Sequence, residues 1–237
     1  MMDTVHETNA YTGVDNLEVL TEAVNYNAYL FSLITKNVPS YAKVLDFGAG
    51  RGDFAFKVQG GSRPVLCVEP DPFLSTQLQA RGLNTIDSLA HVEDNSIDFI
   101  YSFNVLEHIK DHQATLAEMY RVLKPGGQLL LYVPAFQCLY SAMDAKVGHH
   151  RRYTQVTLRP LLLEQGFTIT QSRYADAGGF FASLVYKWIG NKSGDINTSS
   201  VRFYDRYLFG LSRKMDKLGC QHCFGKNLMM LSQKDGA

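Results

Sequence analysis

The sequence lacks the features that mark several classes of protein. Its 237 residues include only four cysteines, and Cys67 and Cys138 stand at apolar positions where buried thiols are usual, so we predict no disulfide framework. It has no excess of charge, because 23 basic residues balance 23 acidic ones. A balanced chain creates no overall field that would attract nucleic acid or an anionic membrane, so any charge preference must be local.

Long hydrophobic runs are also missing. The longest apolar stretch near the end of the chain, Ala177 to Ile189, is interrupted by Lys187 and is too short to span a bilayer. The N-terminus is largely polar and lacks the basic and then apolar order of a secretory signal. We therefore expect a cytoplasmic protein, and its length fits a single domain over residues 1–237.

Metal ligands in the spacing of a zinc site are scarce as well. Cys220 and Cys223 flank His222 and can form half of such a site. No second pair of cysteines or histidines follows at zinc-finger spacing. We predict reduced thiols in a loop here, and no bound metal.

Short apolar segments alternate with helical segments between residues 43 and 133. Turn residues mark the boundaries: Asp71 and Pro72 suit the start of one helix, for example, and Gly82 suits its end. Such alternation predicts a Rossmann-like α/β fold, with a mainly parallel seven-stranded sheet and helices on both faces. The predicted strands are 43–47, 64–68, 83–86, 97–103, 128–133, 167–174 and 227–232.

Two helical regions flank this alternation. Residues 1–40 are predicted as a helical N-terminal segment, with near-helical spacing of apolar residues over 15–36 and an Asp15 and Glu18 pair that resembles a capping box at its start. Residues 178–225 are predicted as a helical insertion before the last strand, rich in phenylalanine, tyrosine and leucine. It should contain helices over 180–189 and 201–218, separated by a polar loop over 190–200. The insertion is compatible with a lid over a large apolar substrate, a dimer surface, a membrane-surface contact or ordinary packing on the sheet. Pro160, inside a helix predicted over 155–165, predicts a kink or a later start.

The most informative stretch runs from Val44 to Gly52, where an apolar strand ends in a turn with glycine at every second position. Backbone in such a turn passes very close to a ligand. A dinucleotide site requires G-x-G-x-x-G, but Gly52 comes one residue too early for it. Asp46 suits an ammonium group better than a pyrophosphate. Glu69, at the tip of the second strand, suits the hydroxyls of a ribose.

An ammonium group and a ribose are both present in S-adenosylmethionine, and the wider sequence agrees. Five segments between Lys43 and Ala135 resemble, in sequence, order and spacing, the motifs of class I S-adenosylmethionine-dependent methyltransferases: VLDFGAGRG, VLCVEPD, IDSL, IDFIYSFNVLEHI and LKPGGQLLLYVPA. The resemblance implies S-adenosylmethionine as the cofactor and S-adenosylhomocysteine as the product formed from it.

The resemblance also implies which residues bind the cofactor. The glycine turn would line its methionine part, Glu69 would hold the ribose, and Pro70 would lie beside the adenine. Tyr26 would close over the cofactor, as aromatic residues there often do in this family, or else would pack the helix. The implied cofactor-binding residues are Tyr26, Asp46, Phe47, Gly48, Ala49, Gly50, Glu69, Pro70, Asp87, Ser88, Asn104 and Val105.

Catalysis is less closely specified by the sequence. Methyl transfer from a sulfonium is an in-line displacement, so the enzyme chiefly positions the nucleophile, and a base is needed only if that nucleophile must lose a proton. His108, just after the fourth strand, is a candidate base. A similar segment in the coenzyme Q O-methyltransferases uses two glutamates and the histidine to hold a divalent metal, but Asn104 replaces the first glutamate here. The alternative for Glu107 and His108 is a structural pair at a helix start.

A second cluster follows the fifth strand. Gly148 to Thr154 resembles a Gly-His-x-Arg-Arg-Tyr-Thr signature in uncharacterised methyltransferases of the type 11 or type 12 kind. Arginine pairs suit a phosphate or carboxylate, and a tyrosine or histidine can orient a hydroxyl of the methyl acceptor. The alternative is a solvated basic turn paired with Asp144. The predicted catalytic residues are His108, His149, Arg152 and Tyr153.

These observations predict an enzyme that transfers a methyl group from S-adenosylmethionine to a small-molecule or lipid-linked acceptor bearing an anionic group. Two alternatives stay open: O-methylation of a phenol or quinone, and a non-catalytic partner protein with a methyltransferase fold. Nucleic acid is not an expected partner, because no basic face is evident and no Asn-Pro-Pro-Tyr or Asp-Pro-Pro-Tyr segment follows the fourth strand. The sequence leaves the oligomeric state open, and it permits a peripheral membrane contact.

Overall fold

A computed structural model of the chain describes residues 21–60, 63–189 and 197–236. The beginning of the predicted N-terminal helix, with its Asp15 and Glu18 capping pair, lies outside the described residues, as does most of the polar loop predicted over 190–200. In the part that is described, no helix combines the length and the apolar character needed to cross a membrane.

A single seven-stranded sheet organises these residues. Its strand order is β3-β2-β1-β4-β5-β7-β6, and only β7 runs antiparallel to its neighbours, β5 and β6. The predicted mainly parallel sheet is therefore confirmed. The strands are β1 (Val44–Phe47), β2 (Val65–Val68), β3 (Asn84–Ile86), β4 (Ile97–Phe103), β5 (Leu123–Pro134), β6 (Phe167–Ala175) and β7 (Asn227–Lys234).

Helices cover both faces of the sheet, because alternate residues of each strand point to opposite sides. The helices are α1 (Val24–Asn37), α2 (Asp53–Gln59), α3 (Pro72–Ala80), α4 (His112–Val122), α5 (Ala142–Lys146), α6 (Gln155–Glu164), α7 (Ala177–Ile189), α8 (Thr198–Phe203) and α9 (Phe209–Lys217). One buried cluster joins the sheet to α4 and α6, and the other joins it to α1, α2 and α3.

Several element boundaries differ from the sequence prediction. β5 begins at Leu123 rather than at 128, because this residue already pairs with Ile97 across a register shift. The helix containing Pro160 starts at Gln155, so a later start was wrong: the fixed φ of proline is compatible with the helix, and Thr154 caps its beginning. Within the insertion, a π-helical turn at Tyr204–Leu208 divides the long helix predicted over 201–218.

Two cysteines behave differently from one another. Cys67 is buried in β2, as predicted, whereas Cys138 is exposed in a 3-10 turn, so the expectation of a buried thiol there was wrong. The next residue of the same turn, Leu139, is buried instead. All four thiols are free, which confirms the absence of a disulfide framework.

The insertion is tied to the N-terminal helix by one buried carboxylate. Asp205, in the π-helical turn, accepts hydrogen bonds from the backbone N–H of Asn25 at 2.9 Å and of Tyr26 at 2.8 Å. These N–H groups belong to the first turn of α1 and have no partner inside the helix. The contact places α1, and with it Tyr26, over the carboxyl end of the sheet.

Candidate functional site

The carboxyl ends of β1, β2, β4 and β5 open into one continuous chamber of about 2460 Å³. A pocket for a drug-sized ligand measures about 300–1000 Å³, so this chamber has room for a cofactor and a second, large molecule. It lies where the strand order reverses between β1 and β4, the position at which open α/β sheets bind ligands. The chamber is lined by all twelve predicted cofactor-binding residues: Tyr26, Asp46, Phe47, Gly48, Ala49, Gly50, Glu69, Pro70, Asp87, Ser88, Asn104 and Val105.

The glycine turn after β1 has a shape that side chains would block. Gly48 has φ +75°, and a Cβ there would lie 2.3 Å from Val105 Cγ2. Both the backbone conformation and the close approach of the turn after β4 therefore require glycine. Gly52, with φ +74°, is constrained in the same way by Leu78 of α3. The sequence encodes a bare backbone where the strand ends meet.

Asp46 is the buried carboxylate beside this turn. It is 4% exposed, and the Tyr101 hydroxyl donates to Oδ2 at 2.7 Å. Burial raises the pKa of Asp46 to about 7, against which the hydrogen bond from Tyr101 acts only in part. A carboxylate held by a neutral hydroxyl in a chamber wall would gain strongly from an ammonium group.

Glu69 joins the end of β2 to the glycine turn. Its Oε2 accepts the backbone N–H of Gly50 at 2.8 Å, and its Oε1 accepts that of Asp71 at 3.0 Å. Burial raises the pKa of Glu69, while these two backbone donors oppose the shift. Each oxygen keeps a further lone pair, so the carboxylate is oriented to accept ligand hydroxyls as well.

Tyr26 both packs and faces the chamber. Its hydroxyl lies beside Tyr132 and Asn104, and burial raises its pKa. Its ring lies edge-on to that of Phe209, with 5.7 Å between the centroids. Asn104, which it contacts, has φ 54° at the end of β4, a strained conformation for a non-glycine residue. The two readings of Tyr26 from the sequence are thus compatible.

Three of the four predicted catalytic residues, His108, His149 and Arg152, also line the chamber. His149 Nδ1 lies 2.7 Å from Asp144 Oδ1, so Asp144 orients the imidazole. Burial alone would raise the pKa of Asp144, but the hydrogen bonds from His149 and Arg152 outweigh it and hold that pKa well below its usual range.

Arg152 does not offer its charge to a ligand. Its Nε and Nη2 donate to the two oxygens of Asp144 at 2.9 and 3.0 Å, and Nη1 donates to the Ala135 carbonyl. Arg151 likewise donates to the carbonyls of Ile109 and Lys110. The geometry therefore does not support the predicted binding of an anion by these two arginines, because their guanidinium groups are hydrogen-bonded to oxygens of the protein. The predicted pairing with Asp144 is present, but it is buried rather than solvated.

Tyr153 lies outside the set of described residues that line the chamber, and it is 1% exposed. Its hydroxyl donates to the Leu106 carbonyl at 3.2 Å and lies 2.8 Å from His112 Nδ1. The prediction that it orients the methyl acceptor was wrong, because its hydroxyl is used inside the core. It instead anchors the 3-10 turn Leu106–His108 and so positions His108.

Two groups at this end of the sheet were not among the predicted site residues. Glu107, which the sequence offered with His108 as a metal-type segment or a structural pair, is fully buried, and burial raises its pKa to about 8; burial also lowers the pKa of His108 to about 4, so that imidazole is neutral. Lys226 lines the chamber just before β7, and burial lowers its pKa. No local sequence signal marks this lysine. It reaches the chamber because the next residue, Asn227, pairs with Pro134 in the antiparallel part of the sheet.

Comparison with known proteins agrees with this geometry. A family described as a methyltransferase domain matches residues 20–172. An uncharacterised methyltransferase of Mycobacterium sp. (strain KMS) is 33% identical over 128 residues, covering 52% of this chain and 51% of that protein. A ubiquinone/menaquinone biosynthesis C-methyltransferase of Cronobacter sakazakii is 30% identical over 136 residues, covering 50% and 54%. The chain thus spans about half the length of the curated relatives that it matches.

Solved structures share the fold. The [4+2]-cyclase SpnF superposes with a TM-score of 0.60 at 16% identity, covering 88% of this chain and 82% of that one. At that identity the likeness shows the architecture alone. A cyclase with this architecture also illustrates that the fold does not dictate the reaction, which must be argued from the site.

Proposed function

Because the chain belongs to the methyltransferase domain family, we propose that it transfers the methyl group of S-adenosylmethionine to an acceptor bound in the same chamber. The observation that carries the proposal is the convergence of Asp46, Glu69 and the glycine turn on one wall of that chamber. We call the wall formed by residues 46–105 the cofactor side. The acceptor side comprises residues 134–153, helices α7 to α9 and Lys226.

The residues of the cofactor side fit the chemical groups of this cofactor. Asp46 would meet the ammonium group, and Glu69, fixed by two backbone N–H groups, would accept hydrogen bonds from the ribose hydroxyls. Asp87 and Ser88 would border the adenine, and Asn104 would face the methionine part. S-adenosylmethionine supplies an activated methyl group on a sulfonium, and the bare turn at Gly48 lets that ligand approach the backbone.

The reaction asks the protein mainly to position the methyl acceptor. The bond from sulfur to methyl breaks as the bond from methyl to the nucleophile forms, and S-adenosylhomocysteine leaves. His108 follows Asn104 and Val105 in one short segment, and His108 and His149 both line the chamber, so this pair would border both ligands. As long as neither imidazole binds a metal ion, a nucleophile that carries a proton would release it towards this pair.

The acceptor side favours a lipid-linked or otherwise largely apolar molecule. One face of α7 lines the chamber with Ala182, Ser183 and Tyr186. Its other face leaves three large apolar side chains exposed, which are Phe181 at 50%, Val185 at 58% and Trp188 at 83%. Exposed apolar and basic residues continue along α8, the π-helical turn and α9: Arg202, Phe203, Arg206, Tyr207, Leu211, Lys214 and Lys217. This mixture suits contact with an anionic membrane surface, from which an apolar acceptor could enter.

A quinone ring is the second candidate acceptor. The relative from Cronobacter sakazakii is named for C-methylation in ubiquinone and menaquinone biosynthesis, and the chamber has the volume for such a ring. If the acceptor carries an anionic group, Lys226 is better placed to meet it than Arg152, whose charge is already paired.

The first experiment measures cofactor binding by isothermal titration of the protein with S-adenosylmethionine. We expect one site, and the absence of binding at millimolar ligand to a folded sample would overturn the proposal. The second supplies methyl-tritiated cofactor with either an organic extract of membrane lipids or the water-soluble metabolites of cells. We expect label in the organic phase with the wild type and none with Glu69→Ala. Mass spectrometry of the product then separates C-methylation from O-methylation.

The membrane contact has its own test. Replacing Phe181 and Trp188 by serine should reduce sedimentation with anionic vesicles while leaving cofactor affinity unchanged, because both side chains are exposed outside the chamber lining. Tyr41→Ser removes a fully exposed aromatic residue elsewhere and serves as the control. Equal vesicle binding by all three proteins would refute a lipid-facing role for α7.

A further inference from the structure

The buried carboxylate of Glu107 is the polar group of this site that the described structure leaves without a hydrogen bond. Glu107 is 0% exposed, and neither Oε1 nor Oε2 has a hydrogen-bond partner among the described residues. Buried polar atoms are normally paired, and two orphaned oxygens on one carboxyl group indicate a missing ligand such as an ion or water.

His149 approaches this carboxyl group without satisfying it. Its Nε2 lies 3.7 Å from Glu107 Oε1, which is too long for a hydrogen bond. The opposite ring nitrogen, Nδ1, is held by Asp144 at 2.7 Å. Metal-bound imidazoles typically have this arrangement, with a carboxylate or a carbonyl fixing the nitrogen that does not bind the metal.

His108 completes the group from the 3-10 turn that also carries Glu107. Its imidazole donates to the backbone carbonyl of Val147, so it is oriented from outside the cluster in the same manner as His149. The two rings meet edge to face, with 4.5 Å between the centroids. One ligand atom from each of Glu107, His108 and His149 lies within 4.8 Å of the other two.

We propose that Glu107, His108 and His149 bind a first-row divalent cation. Two imidazoles and one carboxylate form a donor set that such ions favour, and three protein ligands leave coordination positions open. Ligand atoms about 2.0–2.2 Å from a metal lie at most about 4.4 Å apart, so small side-chain rotations would close the observed cluster around an ion. A cation between Glu107 and His149 fills the gap that no hydrogen bond spans.

The open positions of this ion would face the chamber, because both histidines line it. There the cation would bind an oxygen atom of the methyl acceptor and fix its orientation. That role rests on the proposed function, whereas binding of the cation does not. The sequence argued against a metal because Asn104 stands where a related segment has glutamate; the fold supplies His149 from a separate loop instead.

The test uses cobalt(II) as the probe, added without S-adenosylmethionine to protein that has been treated with a chelator and dialysed. We expect one equivalent to bind, with visible d–d absorption bands, and isothermal titration to give the affinity. Glu107→Gln keeps the size of the side chain and should weaken binding by at least about 100-fold, as should His149→Ala, since even loss of an outer partner costs about 10–100-fold.

Two control variants identify the site. His150→Ala alters an exposed neighbour in the same loop and should bind cobalt like the wild type. Cys223→Ser tests the other cluster of potential ligands near Cys220 and His222, and it should also leave binding unchanged. Circular dichroism confirms that each variant is folded. No binding at millimolar cobalt, or binding that is lost in Cys223→Ser and kept in Glu107→Gln, would overturn the proposal. Cofactor binding is titrated separately, so the cobalt experiment still tests the cation site if the protein does not bind S-adenosylmethionine.

Discussion

The two sides of the chamber use their charged groups in opposite ways. On the cofactor side, the carboxyl groups of Asp46 and Glu69 are held by a hydroxyl and by backbone N–H groups, so they keep their capacity to bind a cationic or hydroxylated ligand. On the acceptor side, the carboxylate of Asp144 accepts hydrogen bonds from Arg152, and that of Asp205 accepts them from the backbone at the start of α1. The cofactor-side carboxylates thus keep oxygen lone pairs for a ligand, whereas Asp144 and Asp205 are already paired with groups of the protein.

Removing Arg152 should have the largest effect. Arg152→Met leaves the buried Asp144 carboxylate without its main partner, and we expect the free energy of unfolding to fall by about 3–5 kcal/mol. Urea denaturation measures the loss. Arg159→Met removes an exposed arginine from the neighbouring helix and should change stability little. If Arg152→Met folds as stably as the wild type, the guanidinium is available to a ligand after all.

On the cofactor side, Asp46→Asn should weaken ligand binding, whereas Arg152→Met should weaken folding. We expect affinity for S-adenosylmethionine to fall by about 10- to 100-fold, because a hydrogen bond to a charged group contributes about 1.5–3 kcal/mol. Glu93→Gln, at an exposed acid, is the matched control in the same titration. Unchanged affinity in Asp46→Asn would show that this carboxylate does not meet the ammonium group.

The pH dependence of cofactor binding is a second test of the role of Asp46. Burial raises the pKa of Asp46 to about 7, and only the charged form attracts an ammonium group. Cofactor affinity should therefore fall by about five- to sixfold as the pH is lowered from 7 to 6, since the charged fraction of a group with this pKa falls from about one half to about one tenth. Titration of Asp46→Asn across the same range should be nearly flat, and an equal slope in both proteins would assign the effect to another group.

The charged form of Asp46 should favour cofactor binding but destabilise the fold. Because the pKa of Asp46 is higher in the folded state, its protonated form stabilises the fold at low pH, and this contribution is lost as the pH rises through about 7. Asp46→Asn should therefore raise the melting temperature more at pH 8 than at pH 6. A lower melting temperature for Asp46→Asn than for the wild type at pH 8 would contradict a raised pKa of Asp46.

The smallest effect is expected at Tyr26 of α1, which lies beside Asn104 on the cofactor side and against Phe209 on the acceptor side. Tyr26→Phe removes the hydroxyl beside Tyr132 and Asn104 but keeps the ring against Phe209. One neutral hydrogen bond contributes about 0.5–1.5 kcal/mol, so cofactor affinity should fall by no more than about tenfold. Tyr26→Ala should cost more, because the ring contact is lost too. Similar affinities for both variants would assign the role of Tyr26 to its hydroxyl alone.

Much of the cofactor side could be predicted from sequence because its signals are local. Gly48, Asp46 and Glu69 each stand at the end of an apolar strand, and parallel strands bring their carboxyl ends to one edge. Periodicity and turn residues sufficed to place those strands within a few residues. The acceptor side gave weaker signals: the charges of Arg152 and the hydroxyl of Tyr153 suggested ligand contacts, yet both groups are used in the interior.

The sequence by itself determined the sheet, the glycine turn and the cofactor that they suit, because alternation, turn chemistry and motif order are properties of neighbouring residues. Only the tertiary structure decided which charges are available. It brought His149 to Glu107 and His108, and Lys226 to the chamber edge, and it joined Asp205 to Tyr26 across most of the chain. Burial and pairing fix the role of a charged side chain, and both depend on contacts between segments that the sequence keeps far apart.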